Sequence, residues 1–300
     1  STIECINLYK DFVENFLCIP TLMGQKTEGE RFAGADNTFT IETIMKDGQC
    51  LQAGTSHYLG QNFSKTYDIK FTNKENQLEY VYQTSVGLST RIIGAIIMSH
   101  ADNDGLVLPF GVAPTQVAIL PIGFDKNPII LNKAKELADQ LSKHYSVYLD
   151  DSNKSFGFKI SEQETNGTPI CLVLGGKELE NNCVTVITRV SKEKTQLSID
   201  QVVNSIETLS IEYNKQLFST AKQRMDQSIV KANSFEEVLS IVNDHKVALA
   251  PWGGTPEEEK MLKVKSNGIT PRCIHSEISG AKCFFTGKPA KNLVYFGRAY

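Results

Sequence analysis

Residues 3–17 place Ile3, Ile6, Tyr9, Val13, Phe16 and Leu17 near one helical face, and Pro20 stands beyond the end. That spacing predicts a helix. A stretch rich in glycine and charge follows, GQKTEGERFAGAD (24–36), and the period then shortens to two. TFTIETIM (38–45) alternates, KDGQ (46–49) is a turn, and Cys50–Ala53 leads back as a strand. TYDIKF (66–71) and LEYVYQTSV (78–86) read as two further strands around the polar loop TNKENQ (72–77). After Gly87 the period turns helical, with Ile92, Ile93, Ala95, Ile96, Ile97 and Met98 in an almost wholly apolar run. Strands followed by one buried helix predict an antiparallel sheet of α+β character.

Two prolines and a glycine in LPFGVAP (108–114) break the pattern and mark a boundary. Beyond it come the strand VAILPI (117–122), a helix near 128–144, the strand VYLD (147–150), a helix near 156–165, and the strands ICLVL (170–174) and VTVITRV (184–190). This is a βαβαβ pattern with a mixed or parallel sheet. A long helix follows near 199–226, then a helix at 235–243, the strand VALAPW (247–252), and short pieces ending in NLVYFGRAY. The expected domains are 1–109, 114–210 and 211–300.

A length of 300 residues suits two or three domains, and 41% hydrophobic with 22% charged residues excludes a mostly disordered chain. No apolar run approaches membrane-spanning length, and the first residues carry acids with no basic lead, so no signal peptide is read there. A net charge of −3 argues against gripping nucleic acid over the whole surface, yet residues 260–300 hold eight Lys/Arg against the single acid Glu277. That segment fits a solvated basic face and an anion-binding surface equally. Seven cysteines without a CxxC pair fit reduced thiols, and hence a cytoplasmic protein with no membrane partner.

Two segments carry chemistry. GTSHYLGQNFS (54–64) brackets Thr55, Ser56, His57, Gln61 and Asn62 with glycines, which fits either ligand contact or a polar turn capping a helix. In TSVGLSTRIIGAIIMSH (84–100), Arg91 opens the apolar helix, where a cation is costly unless paired with an acid, a carbonyl or a phosphate. A helix N-terminus favours an anion, and an internal Arg–Glu pair fits as well.

GTSHYLGQNFS, QTSVGLSTRIIGAIIMSHADNDGLVLP and the ending CFFTGKPAKNLVYFGRAY resemble the prolyl-tRNA synthetases, class II aminoacyl-tRNA synthetases, in their eukaryote- and archaea-like form. The resemblance runs from ERFAGADNT to Tyr300. It implies part of an antiparallel class II catalytic domain (1–109), an α/β anticodon-binding domain (114–210) and a small α/β C-terminal domain (211–300). GLSTRIIGAIIM is similar to motif 3, which implies that Arg91 is catalytic and binds ATP. Gln52 and Thr55 fall where the family contacts the nucleotide, and Phe32, His57 and Ser85 where it lines the proline pocket. Lys159 and Glu164 match positions that face anticodon bases. The implied activity is ATP-dependent activation of L-proline and its transfer to tRNA(Pro), with Mg²⁺ on the nucleotide and a homodimer as the full-length enzyme.

The sequence departs from the family in places. Asp150-Asp151-Ser152 stands where the family often has an acidic-Arg turn, and Cys171 where it often has an Arg. Many relatives hold a structural zinc on four cysteines, two of them just after the APW strand. This chain reads APWGGTPEEEK there and offers only Cys273, Cys283 and His275, so no structural zinc is expected. The family's C-terminal tyrosine tucks toward the active site, which implies an ordered Tyr300. Motifs 1 and 2 lie upstream of the first helix in the family, so the chain reads as a fragment expected to be inactive alone. The other reading is a non-catalytic pseudo-synthetase that binds tRNA or a partner.

Overall fold

In the computed structural model, which describes residues 1–300, the chain opens with α1 (Thr2–Asp11), which runs into a π-helical turn at Phe12–Phe16. Strands β1 (Leu22–Gln25), β2 (Asn37–Ile44) and β3 (Cys50–Gly60) follow. Next come α2 (Asn62–Thr66), the hairpin β4 (Lys70–Thr72) and β5 (Leu78–Tyr80), β6 (Gln83–Leu88) and α3 (Arg91–His100). The main sheet has the order β1-β2-β3-β6 and is antiparallel throughout.

Three local expectations change. β3 does not end at Ala53 but continues through GTSHYLG, because its polar residues alternate across the sheet instead of forming a turn. Ser56 points to the helix side, where its hydroxyl donates to the Thr2 carbonyl at 2.8 Å. The strand expected over 78–86 is two strands, and only β6 joins the main sheet. Helix α3 is not buried all round, since Ile93 is 60% exposed.

The second stretch builds β7 (Val117–Pro121), α4 (Pro128–Leu141), β8 (Val147–Leu149), α5 (Phe156–Asn166) and β9 (Ile170–Leu174). It continues with α6 (Gly176–Glu180), β10 (Cys183–Thr188), β11 (Lys194–Ser198) and the long α7 (Ile199–Ser228). The order is β11-β10-β9-β7-β8, with β8, β7 and β9 parallel and β10 antiparallel to β9. Every residue of β7 and β9 is buried, as strands covered on both faces require. Asn127 caps α4 and Pro128 opens it. Ile130, Ala134, Leu137 and Leu141 recur at helical spacing and pack with Val117, Ile119, Ile170 and Leu172 in one core.

The last stretch holds β12 (Ile229–Lys231), α8 (Phe235–Asn243), β13 (Val247–Trp252), α9 (Pro256–Lys265), β14 (Thr270–Glu277) and β15 (Asn292–Gly297). These strands form a sheet in the order β12-β13-β15-β14. Two compact units result: residues 1–15, 19–95 and 222–300 form one, and 16–18 with 96–221 form the other. No helix is long and apolar enough to cross a membrane.

Inside the first unit, buried ion pairs tie the two sheets together. Glu42 Oε1 accepts from Lys26 Nζ at 2.8 Å, and Oε2 accepts from Arg272 Nε and Nη2 at 3.1 and 2.7 Å. All three side chains are buried. At Gly24 a Cβ would lie 2.2 Å from the Ile274 carbonyl oxygen, so β1 reaches β14 only as glycine. Leu22, Ile44 and Cys50 share a cluster there with Val247, Cys273 and Tyr295. Replacing Glu42 by Gln leaves two buried cations without their anion. We expect a loss of about 3–5 kcal/mol in urea unfolding, and a loss under 1 kcal/mol would contradict the triad's role.

Candidate active site

The register of the first sheet decides which side chains meet. Thr38 lies opposite His57, which lies opposite Ser85 on the far side. The next row on the same face is Thr40, Thr55 and Gly87. On β3 the pairing skips from Gly54 opposite Ile41 to Gln52 opposite Glu42, so a bulge inserts one residue and returns Gln52 to the face of Thr55 and His57. Burial agrees: Gln52, Thr55 and His57 are partly exposed, whereas Leu51, Ala53 and Ser56 are buried. Gln52, Thr55, His57 and Ser85 thus share one face.

An aromatic wall closes one end of that face. The Phe32 ring lies 4.7 Å from the His57 ring, and Phe63 stacks behind Phe32 at 6.4 Å. Thr38 links the two segments, because its Oγ1 accepts from the Phe32 N–H at 3.1 Å and is hydrogen-bonded to His57 Nδ1 at 3.0 Å. Burial holds the imidazole pKa below its ordinary value. Thr38 did not stand out in the sequence, although the polar period of Thr38, Thr40 and Glu42 was a legible signal.

Arg91 opens α3 three residues after β6 ends, with its N–H donating to Ser89 Oγ at 3.3 Å. The side chain is exposed, which removes the expected desolvation cost of a cation in a buried helix. Gly87 adds open space, since a Cβ there would meet only Thr55 Oγ1, at 4.0 Å.

In the second unit, Lys159 is wholly buried. Its Nζ donates to the carbonyls of Asp150 at 2.7 Å and Pro121 at 3.1 Å, and lies 3.6 Å from Asp150 Oδ1. Burial lowers its pKa despite Asp150. The expectation that Lys159 faces nucleotide bases therefore needs correction, because its ammonium ties the end of β7 to the turn after β8. Glu164 sits near the other end of α5, partly buried, and its carbonyl accepts from Arg189 Nε at 3.1 Å. The two are not brought together. A cleft of about 370 Å³ instead opens where β7 and β9 end, lined by Ile122, Phe156, Gly175, Lys177, Thr185 and Lys194. In a 2-1-3 strand order this is the switch point, where α/β sheets take ligands.

Comparison with known proteins fits this layout. Residues 116–209 match the family described as anticodon binding domain, and residues 235–300 match the family described as prolyl-tRNA synthetase, C-terminal. The proline-tRNA ligase of Ureaplasma urealyticum serovar 10 is 45% identical over 295 residues, covering 98% of this chain and 62% of that protein. The one from Malacoplasma penetrans is 46% identical over 311 residues, covering all of this chain and 64% of the relative. A third, from Ruminiclostridium cellulolyticum, is 43% identical over 302 residues and is covered to 63%. Across nearly its whole length the chain is similar to proline-tRNA ligases. It spans 62–64% of the length of these relatives.

Two further regions singled out by the resemblance are the C-terminal tyrosine and the C-terminal cysteines. Tyr300 does not reach His57; it sits at the start of β3. Its N–H donates to the Cys50 carbonyl at 3.1 Å, and its hydroxyl donates to the Asp47 carboxylate. That hydrogen bond raises the Tyr300 pKa to about 12. Cys273 and Cys283 lie in different apolar clusters, and His275 Nδ1 is hydrogen-bonded to the Tyr295 hydroxyl at 2.9 Å. No group of three or more His, Cys, Asp or Glu is arranged to hold a metal.

His57 should titrate below about 6.5 when followed by NMR. Phe32→Ala removes part of its cover and should return the value toward 6.5. An ordinary value in both proteins would refute the burial of this ring as the cause.

Proposed function

We propose that the whole protein containing this chain is a proline-tRNA ligase, which activates L-proline with ATP and transfers it to tRNA(Pro). The observation that carries this reading is the shared face of Gln52, Thr55, His57 and Ser85, closed by Phe32 and followed at once by Arg91.

The chemistry suits these residue types. The proline carboxylate attacks the α-phosphate of ATP, a P–O bond forms to the carboxylate, and pyrophosphate leaves with the electron pair of the broken bond. The nucleophile is already ionised, so no general base is required. What accelerates the step is alignment and neutralisation of charge. Gln52 and Thr55 offer neutral hydrogen bonds to the nucleotide, and Arg91 offers an exposed guanidinium to its phosphates. Mg²⁺ arrives with ATP as part of the substrate. Phe32 and His57 form the compact wall for the proline ring, with Ser85 across from the imidazole as a hydroxyl partner.

In the second unit, the cleft at the β7 and β9 ends is our candidate for the anticodon. Lys194 Nζ lies 5.3 Å from the centre of the Phe156 ring, so a stacking surface and a cation stand side by side. Unstacked bases are read by that combination. A second copy of the protein is the further partner that the family resemblance implies.

Proline-dependent exchange of pyrophosphate into ATP by the full-length protein tests this. Arg91→Ala should lower kcat/KM for ATP by about 10²–10³. His57→Ala should raise KM for proline and leave KM for ATP within about twofold. Exchange with no amino acid would assign the chain to a binding role, and exchange with a different amino acid would reassign its substrate.

A further inference from the structure

The loop that carries Phe32 is pinned from the far side. It leaves β1 at Lys26 and runs to β2, and its first turn passes over α9. Glu259, in the first turn of α9, is 6% exposed, yet its Oε2 has no hydrogen-bond partner at full geometry. The same holds for two neighbouring buried groups, Thr27 Oγ1 and Trp252 Nε1. All three residues line one cavity of about 370 Å³. Gly29 fixes the closeness of the approach: a Cβ there would lie 2.2 Å from Glu259 Oε2 and 3.3 Å from the Pro256 Cα. Three residues later the backbone delivers Phe32, whose N–H is held by Thr38 and whose ring lies on His57.

We propose that Glu259 is a positioning residue for proline binding: its buried carboxyl seats the 27–29 turn and thereby sets Phe32 against His57. The inference rests on the reading of Phe32 and His57 as the proline wall. Glu259 touches no substrate; it acts through the loop.

The carboxyl also makes the seat sensitive to pH. Burial raises its pKa to about 7, against weaker opposing effects of Thr27, the Gly29 N–H and Trp252, while Glu30 on the loop adds a like charge. The charged groups around the same cavity are Lys26, Glu28 and Arg31 on the loop and Lys291 before β15. A carboxyl raised in this way stabilises the seated loop fully below its unfolded pKa of about 4.5, and that stabilisation is lost as pH rises through about 7. Deprotonation therefore loosens the turn. Gln, which cannot ionise, keeps the neutral form at every pH.

The test compares wild type, Glu259→Gln and Glu259→Ala in the full-length protein, by pyrophosphate exchange from pH 6 to 8.5 and by hydrogen exchange at residues 27–32. Glu259→Ala should raise KM for proline by about tenfold while KM for ATP stays within about twofold. Wild-type KM for proline should climb several-fold from pH 6 to 8.5, and Glu259→Gln should stay flat and low. Hydrogen exchange should be faster in the Ala protein than in the other two at pH 6. Gly29→Ala should impair proline binding on its own and add little to the loss in Glu259→Ala, which already removes the atoms its Cβ strikes. Equal KM for proline in wild type and Glu259→Ala, or equal loss toward proline and ATP, would overturn the positioning role. Identical hydrogen exchange in all three proteins would overturn the seat itself. A wild-type protein with no proline-dependent exchange would overturn the functional reading, and hydrogen exchange would then decide the seat separately.

Discussion

One buried carboxylate orders the first unit. Glu42 stands on β2, in the second strand of the first sheet, and holds Lys26 from the end of β1 and Arg272 from β14, 230 positions away. Removing three charges from water is expensive, and the triad survives because each carboxylate oxygen accepts from a cation at close range. The neighbouring thiols do not neutralise the net positive charge, since burial pushes Cys50 and Cys273 to about 12. Lys26 is also where the loop to Phe32 begins. The place of the aromatic wall is therefore inherited from the contact between the two sheets.

That dependence explains what the sequence conveyed and what it did not. Alternation in 38–45 and the βαβαβ pattern after residue 117 are local signals, and both appear in the structure. Thr55, His57 and Ser85 lie in strings that resemble a family and Gln52 just before one of them, and strand register places all four on one face. The register itself was not legible, because the bulge next to Gly54 depends on pairing with β2 and not on composition. The burial of Lys159, which the resemblance sets against anticodon bases, was not legible either. A lysine at a helix start looks solvated in sequence, and only the approach of Asp150 and Pro121 shows it buried. The triad leaves no local signal, because its members are 16 and 230 positions apart in the chain.

The C-terminal residues extend the same logic. Cys50 N–H donates to the Arg298 carbonyl at 2.8 Å, and the Tyr300 N–H returns to the Cys50 carbonyl, so the chain end lies along the start of β3. Asp47 in the preceding turn is drawn up in pKa by burial and down by Tyr300 and Gln49, and the hydrogen bonds prevail. The carboxylate stays ionised and holds the tyrosine. Gln52 is two residues further along the same strand.

The first sheet also has a charge pattern that its strands state plainly. Across β1, β2, β3 and β6 there is one acid, Glu42, and no lysine or arginine. Glu42 shares its face with Thr38 and Thr40, so an unpaired carboxylate there would confront whatever binds above. Under the reading proposed above the ligands of this face are a carboxylate and a polyphosphate, and a free negative charge would repel both, because like charges at close range in low dielectric repel strongly. Lys26 and Arg272 remove that charge from the surface without adding an exposed cation. His57, held below its ordinary pKa, is neutral near pH 7 and adds none either. Positive charge then enters from the side, at Arg91, where β6 ends and α3 begins. The same ion pairs that join the two sheets therefore keep the one acid of this face, Glu42, away from solvent, while the exposed Arg91 follows β6 at the start of α3.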